Sequence, residues 1–520
     1  MLCSATLLAI LASNAIAVPL APSFPLSELR YVLDHSEALM LLSTDKFMTK
    51  AQEVVKEGLE KQPGLALIGK TLEGASMPEK VELTGKPEDA DGGIMLYTSG
   101  TTSRPKGVLL PTKTLVAQAR SLFEAWEYST QDHLLHVLPL HHIHGTVNAL
   151  LTPLLAGSTI EFMFPFNVDH AWKRFASPFI ADGVRLPHEA KPITFFTVVP
   201  TIWARMQQSF PHLPVDMQTA TKEAIQRKHL RLNISGSAAL PTPTKKAWTD
   251  LSGGNVLLER FGMTEVGMAL SCGLADEDRI DGSVGWPLPS VEARLVDSDT
   301  GDIIEHGQET DAQGKERPGE IQLRGPTIFQ QYWRNPEATQ KEFTSDGWFK
   351  TGDVAVRRHV PGSGIGASGA WAKGPAYFIH GRKSADIIKT GGEKVSALEI
   401  ERELLSCPEV SECAIVGLPS ETWGQKVAAV LVLTEQGKTA GKGGKEWGAM
   451  DVRRALKDKL VAYKIPQDCV VVEEIPRNAM GKINKKELVA SVFGNHDKIR
   501  RRSVLVKEER DAIKKSLQSG

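Results

Sequence analysis

The chain has 520 residues, enough for more than one domain, and is 41% hydrophobic and 24% charged, the balance of an ordinary globular protein. Lys and Arg total 61 against 62 Asp and Glu, which excludes an electrostatic case for binding nucleic acid or an anionic membrane surface. The five cysteines (Cys3, Cys272, Cys407, Cys413, Cys469) are odd in number and form no CxxC pair. That pattern argues against a disulfide framework or a zinc site, and fits a reducing, intracellular compartment.

In chain order, the opening "MLCSATLLAILASNAIAVPLAP" ends its apolar run in Ala15-Ile16-Ala17, which imitates a signal cleavage site. No Lys or Arg precedes Arg30, so the positive n-region is missing, and Ser13-Asn14 breaks the run before it is long enough to span a bilayer. The reading is a helix over 5–13 and a buried strand over 15–20, with no integral membrane segment in the chain. A helix and strand over 27–42, a helix over 45–60 and a strand over 65–68 follow. A polar stretch, 73–91, leads to a strand over 93–97. "HLLHVLPL", "STIEFMF", "ITFFTVVP", "HLRLNISG" and "NVLLERFG" are apolar β-type runs set between helical patterns, which predicts a mainly parallel, helix-covered sheet.

After Val284 the texture changes. "VEARLVD", "GEIQLRG" and "GWFKTGDVAV" are short strands with Gly-rich turns and predict a β-rich subdomain. "PGSGIGASGAWAKGP", 361–375, is expected to be a flexible Gly/Ser-rich surface insertion. A compact module runs from 381 to about 488, and the charged tail 493–520 holds a helix candidate over 497–517.

The chemistry starts in "LYTSGTTSRPKGVLL", 96–110. A strand feeds a loop of glycine, hydroxyls and one cation, whose donors suit the oxygens of a polyphosphate. It is not a Walker A loop, because Pro105 precedes Lys106 and Gly107 follows it. Further on come "PLHHIHG" (139–145), "FGMTE" (261–265), "GWFKTGD" (347–353), Gly381-Arg382, "KTGGEKVSALEIE" (389–401) and "PRNAMGKINKKEL" (476–488). In this order, over nearly the whole chain, these motifs resemble the adenylate-forming superfamily of acyl-CoA synthetases, adenylation domains and luciferases.

The resemblance implies two half-reactions. A carboxylate attacks the α-phosphate of MgATP to give an acyl-adenylate and pyrophosphate. A thiol, here coenzyme A, then displaces AMP. It implies that Thr98, Ser99, Gly100, Thr101, Thr102, Ser103 and Lys106 hold the outer phosphates, and that Thr264 touches the α-phosphate. Glu265 would ligate Mg2+, a hard cation suited to oxygen. Asp353 would accept the ribose hydroxyls with Arg382 behind it, and Lys482 would reach the α-phosphate as a mobile charge. A swinging C-terminal domain would bring Gly391, Gly392, Glu393 and Lys394 to the pantetheine of CoA, about a hinge within 383–389.

For the acid, Arg260 before "FGMTE" offers a guanidinium fork for a carboxylate. Its alternative is a structural salt bridge with Glu259 or another acid. His142 and His144, with Ser235, Gly236 and Ser237 of "SGSAALP", are further pocket candidates; one histidine of the cluster is expected simply to pack against the loop. The stretches "SGSAALP", "LLERFGMTEVGMALS", "GSVGWPLP" and "KINKKEL" resemble the malonate-activating members of the superfamily, which implies malonate or methylmalonate as the small-molecule acid. The alternatives are a short- or medium-chain acyl-CoA synthetase and an inactive nucleotide-binding remnant.

The implied fold is α/β. A large N-terminal domain, 1–382, has parallel helix-covered sheets and the β-rich subdomain, followed by a small mobile α+β domain, 383–492. Three departures from the family pattern stand out. Ser103 replaces a usual glycine, Thr112 a common histidine, and the phosphate loop comes so early that the N-terminus is expected to be truncated.

Overall fold

The computed structural model describes residues 2–56, 58–69, 92–98, 104–180, 186–477 and 483–494. Contacts divide the chain into two units: Met1–Thr351 with Ala355–Ile379, and Gly352–Val354 with His380–Gly520.

The first unit is built on a seven-stranded sheet. Across it run Trp286–Pro287, Gly267–Ser271, Leu258–Met263, Leu232–Gly236, Phe195–Val198, His133–His136 and Thr159–Phe162. From Leu258–Met263 to Thr159–Phe162 every pairing is parallel; Gly267–Ser271 and Trp286–Pro287 join antiparallel. The parallel strands read as continuous apolar runs because both faces are covered. Leu134, Leu135, Phe195, Phe196, Leu232 and Ile234 are all fully buried. One face packs on Trp172, Trp203 and Trp248, whose rings contact one another. The carboxyl ends of these strands therefore gather Thr197, Ser235, Gly236 and Arg260, and in an open α/β sheet that is where ligands bind.

A second sheet has the order Ile16–Ala17, Gly93–Thr98, Lys106–Pro111, Gln331–Tyr332. The helix before it is Leu2–Ala12. The strand expected over 15–20 is only Ile16–Ala17, paired parallel with Gly93 and Ile94. Pro19, two residues on, has no N–H to continue the ladder. The β-rich region forms a five-stranded sheet in which Glu292–Asp297 pairs antiparallel with Ile303–Ile304 and Gly319–Arg324.

The 361–375 insertion is not a flexible linker. The buried carboxylate of Asp278 accepts hydrogen bonds from Gly364 N (3.0 Å) and Ser368 Oγ (2.6 Å), and Trp286 Nε1 donates to Gly374 O (2.9 Å). Ala372 is buried in a cluster with Trp286, Val356, Ala376 and Phe378, against which Trp371 packs. Glycine and serine supply the turns here, and a residue far away in the sequence supplies the anchor.

In the second unit, Glu393–Ser396, Ile387–Thr390, Gly424–Leu433 and Val410–Ser420 form a sheet, with Asp468–Val471 parallel to Gly424–Leu433. Ser396 caps the helix Ala397–Leu405 by accepting from Glu399 N at 3.1 Å. Ile400 and Leu404 of that helix are buried with Ile388, Val395, Ile415 and Val427. The expected tail helix, 497–517, lies outside the described residues. Among the described residues, no helix is long and apolar enough to cross a membrane.

Candidate active site

The loop of glycine and hydroxyls closes an antiparallel hairpin instead of opening a helix. Thr98 pairs with Lys106 at the mouth, and Ile94, Leu96, Val108 and Leu110 bury the stem. Ser99, Gly100, Thr101, Thr102 and Ser103 lie outside the described residues. One face of the helix Leu26–Ser36 grips both sides of the mouth. The Tyr31 hydroxyl donates to Pro105 O (2.8 Å), and His35 Nδ1 lies 2.8 Å from the Tyr97 hydroxyl. These residues stand at i and i+4, so they share a helix face. Thr112, the first residue of the helix Thr112–Trp126, donates its hydroxyl to Gly92 O (2.9 Å), which ties the helix start to the residue before the strand Gly93–Thr98.

Thr264 and Glu265 occupy the tight turn between Leu258–Met263 and Gly267–Ser271, where Met263 pairs with Gly267. Gly267 has φ +66°, and a Cβ on it would lie 1.6 Å from Gln118 Oε1. Gln118 braces the turn by accepting from Met268 N (2.8 Å) and donating to Met268 O (3.1 Å). Glu265 is buried and accepts a hydrogen bond from the Tyr332 hydroxyl at 2.9 Å. Lys106 Nζ lies 3.8 Å over the Tyr332 ring.

Arg260 is 3% exposed, and burial pulls its pKa down to about 9. Glu259, the neighbour proposed as a structural partner, points to the other face of the strand and takes Lys245 at 2.9 Å. Among the described residues no carboxylate pairs with Arg260. Its Nη2 donates to Ser237 Oγ at 3.2 Å, and its Nε has no partner. Ser237 Oγ lies 3.5 Å from His144 Nδ1, and His144 Nε2 lies 2.6 Å from Thr197 Oγ1. Burial, then the Arg260 charge, holds the His144 pKa well below its usual range. Gly236 is buried beneath the guanidinium, and the buried Ser235 Oγ has no hydrogen-bond partner. The structure thus brings together Arg260, Ser237 and His144, with Ser235 and Gly236 on the same strand end. The His142 ring lies tilted against His141 at 4.2 Å, and His141 packs edge-on against Phe24.

In the second unit Arg382 Nε lies 3.2 Å from Asp353 Oδ1, with Asp353 buried. Gly391 and Gly392, with φ +57° and +85°, form the two-residue turn between Ile387–Thr390 and Glu393–Ser396. A Cβ on Gly391 would stand 2.8 Å from the ring of Trp423, which is half exposed. Glu393 and Lys394 are half-buried on the outgoing strand. Lys482 lies outside the described residues.

The sequence reading missed Tyr31, His35, Thr197, Tyr332 and Trp423. Thr197 alone carried a signal, a hydroxyl inside the apolar run "ITFFTVVP".

The sequence pattern of the family described as AMP-binding enzyme matches residues 3–333, and that of its C-terminal domain matches 399–482. A CoA ligase of Gibberella moniliformis is 62% identical over 524 residues, covering 98% of this chain and 86% of the relative. The mitochondrial malonate–CoA ligase of Homo sapiens is 39% identical over 492 residues, covering 92% and 79%. The crystal structure of ATP-bound MatB from Rhodopseudomonas palustris has a TM-score of 0.73 at 30% identity, covering 94% of this chain and 85% of that one.

Proposed function

The chain belongs to the family of AMP-binding enzymes, and from that premise we propose that it is an ATP-dependent malonate–CoA ligase. The observation that carries the substrate is Arg260. A buried guanidinium without a carboxylate is costly, and a bound anion offsets that cost. Malonate has one carboxylate to react and one to spare. The Homo sapiens relative's name, which specifies malonate, supports the same acid.

In the proposed reaction, Arg260, with Ser237 and His144 behind it, holds the distal carboxylate. Ser235 and Gly236 line the acid pocket, and His142 belongs to its edge. The reacting carboxylate forms a bond to the α-phosphorus of ATP, and the bond to pyrophosphate breaks. The loop from Thr98 to Lys106 holds the outer phosphates, while Thr264 and Lys482 meet the α-phosphate. Asp353 and Arg382 hold the ribose. In the second step the CoA sulfur bonds to the acyl carbon, its proton leaves, and AMP departs. Gly391, Gly392, Glu393 and Lys394 approach the pantetheine, with the domain boundary near residue 382 and the hinge within 383–389.

Mg2+ supplies charge neutralisation at the phosphates. Glu265 fits it: Mg2+ commonly takes one or two carboxylates and leaves its other positions to phosphate and water. The five cysteines are all unpaired, which supports an intracellular place, mitochondrial or cytoplasmic. Organelle fractionation tests that location.

The test of function is AMP release by the purified chain with MgATP and CoA, comparing malonate, methylmalonate, acetate and octanoate. Lys482→Ala and Arg260→Ala serve as controls. Malonate-dependent release, lost in both variants, is expected. Malonate turnover that survives Arg260→Ala would favour a short- or medium-chain acyl-CoA synthetase. ATP binding without release from any acid would mean an inactive remnant.

A further inference from the structure

Tyr332 stands between two residues that the proposed reaction assigns to different tasks. Its hydroxyl donates to Glu265 Oε1 at 2.9 Å, and the face of its ring lies 3.8 Å from Lys106 Nζ. It is 3% exposed and sits in the two-residue strand Gln331–Tyr332, which pairs antiparallel with Lys106–Pro111 at Val108 and Leu109. Trp333 N donates to Gly107 O (2.7 Å), and Phe329 N donates to Glu265 O (2.7 Å). One short segment is therefore hydrogen-bonded on one side to the phosphate hairpin and on the other to the turn bearing Thr264 and Glu265.

Left to themselves, a lysine and a glutamate on such adjacent segments would form an ion pair. Each would then be neutralised, the cation unavailable to a phosphate and the carboxylate to a metal. Among the described residues Lys106 makes no ion pair. The Tyr332 ring offers the ammonium a weaker, displaceable partner. Its hydroxyl takes one side of the carboxylate and fixes its direction, as residues behind metal ligands do.

We infer that Tyr332 is a positioning residue that keeps Lys106 and Glu265 apart and aims Glu265 at the metal of MgATP. The inference rests on the proposed roles of those two residues.

The experiment is calorimetric titration of ATP into the purified chain at stepped MgCl2 concentrations, with no acid or CoA present. Tyr332→Phe keeps the ring and removes only the hydroxyl. It is expected to raise the Mg2+ concentration for half-maximal enhancement ~10-fold, the usual loss for a partner behind a metal ligand. ATP affinity without Mg2+ is expected to stay the same. Tyr332→Leu removes the ring as well, so Lys106 falls onto Glu265 and Mg2+-free ATP binding weakens. Adding Glu265→Gln to Tyr332→Leu is expected to restore that Mg2+-free binding, a rescue that general damage to packing would not give. Melting curves confirm that each variant is folded. If Glu265→Gln raises the Mg2+ requirement and Tyr332→Phe does not, the inference falls while the proposed function stands. No rescue in the double variant also overturns it. If Glu265→Gln alone leaves the Mg2+ dependence unchanged, Glu265 is not the metal residue, and both the assignment and the inference fail.

Discussion

The guanidinium of Arg260 lies directly over the Cα of Gly236. A methyl group on that carbon would stand 2.5 Å from Nε and 2.6 Å from Cζ. Gly236 is therefore required for space, since its backbone is outside the positive-φ region. Gly236→Ala should fold normally but push the guanidinium aside. A displacement of about 1 Å can cost ~10²-fold, so kcat/KM for malonate should fall by about that factor. The KM for ATP should barely move, because the residues proposed to hold the nucleotide are others. Steady-state kinetics with each substrate varied in turn checks this; equal loss in both constants would contradict it.

Arg260 itself should carry a stability cost. It is a buried cation whose Nε is unpaired and which has no carboxylate partner among the described residues. Methionine fills much of the same volume without a charge. Replacing even a buried ion pair by apolar side chains is often neutral or stabilising by about 1–4 kcal/mol, and a buried charge without a counter-ion has less attraction to lose. Arg260→Met should therefore match or exceed the parent in urea unfolding while losing malonate turnover. A marked drop in the unfolding midpoint would mean that the guanidinium is structurally satisfied.

How much of this could be read from the sequence follows from what each residue does locally. The motif residues declared themselves by chemical type. The parallel sheet declared itself by runs such as "ITFFTVVP", which are apolar on both faces. Arg260 was visible as a charge entering a strand. The clearance under it was not, because that depends on the register placing Arg260 beside Gly236 on the neighbouring strand. Tyr332 was invisible for the same reason. Its local setting reads as the approach to a helix capped by Asn335, and its partner Glu265 is 67 residues away. The 361–375 stretch was misread because its composition says nothing of Asp278, which lies 86 residues before Gly364.

Asp278 should behave as a structural residue, with no part in turnover. Its side chain is fully buried and takes hydrogen bonds from Gly364 N and Ser368 Oγ. Asp278→Ala leaves both donors without an acceptor, at a cost of about 1–3 kcal/mol for each group left unsatisfied. The expected outcome is a lower melting temperature and faster proteolysis within 361–375, with unchanged KM values. A protease pattern identical to the parent's would show that the insertion has another anchor.

Acid should destabilise the first unit through its histidines. Burial lowers the pKa of His35, His136 and His144, and brings His141 down to about 4. Between these values and the ordinary histidine pKa of ~6.5, the unfolded chain binds more protons than the folded one. Stability therefore rises with pH across that window and is lost as pH falls through it. Urea midpoints should fall from about pH 6.5 towards about pH 4. His141→Phe keeps an aromatic ring against Phe24 and should flatten the slope by up to one proton. An unchanged slope would show that His141 is not part of this linkage.

The second unit holds a buried cluster of one lysine and two carboxylates. Lys485 Nζ lies 2.6 Å from Asp386 Oδ1 and 2.8 Å from Glu401 Oε1, and all three side chains are largely buried. Asp386 Oδ2 accepts from Arg382 N (3.0 Å), while Glu401 Oε1 accepts from Ile415 N (2.8 Å). One ammonium thus neutralises two carboxylates that tie the start of the unit to its central sheet. Removing one partner of a buried ion pair commonly costs about 3–5 kcal/mol, because the charge left behind is uncompensated. Lys485→Met should lower the melting transition of this unit and spare that of the first, as read by calorimetry. Lys485→Arg keeps the charge and should recover most of the loss. A further rescue is expected from pairing Lys485→Met with Glu401→Gln, which removes one of the stranded charges. If that double substitution is no more stable than Lys485→Met alone, the carboxylates are not what Lys485 holds in check.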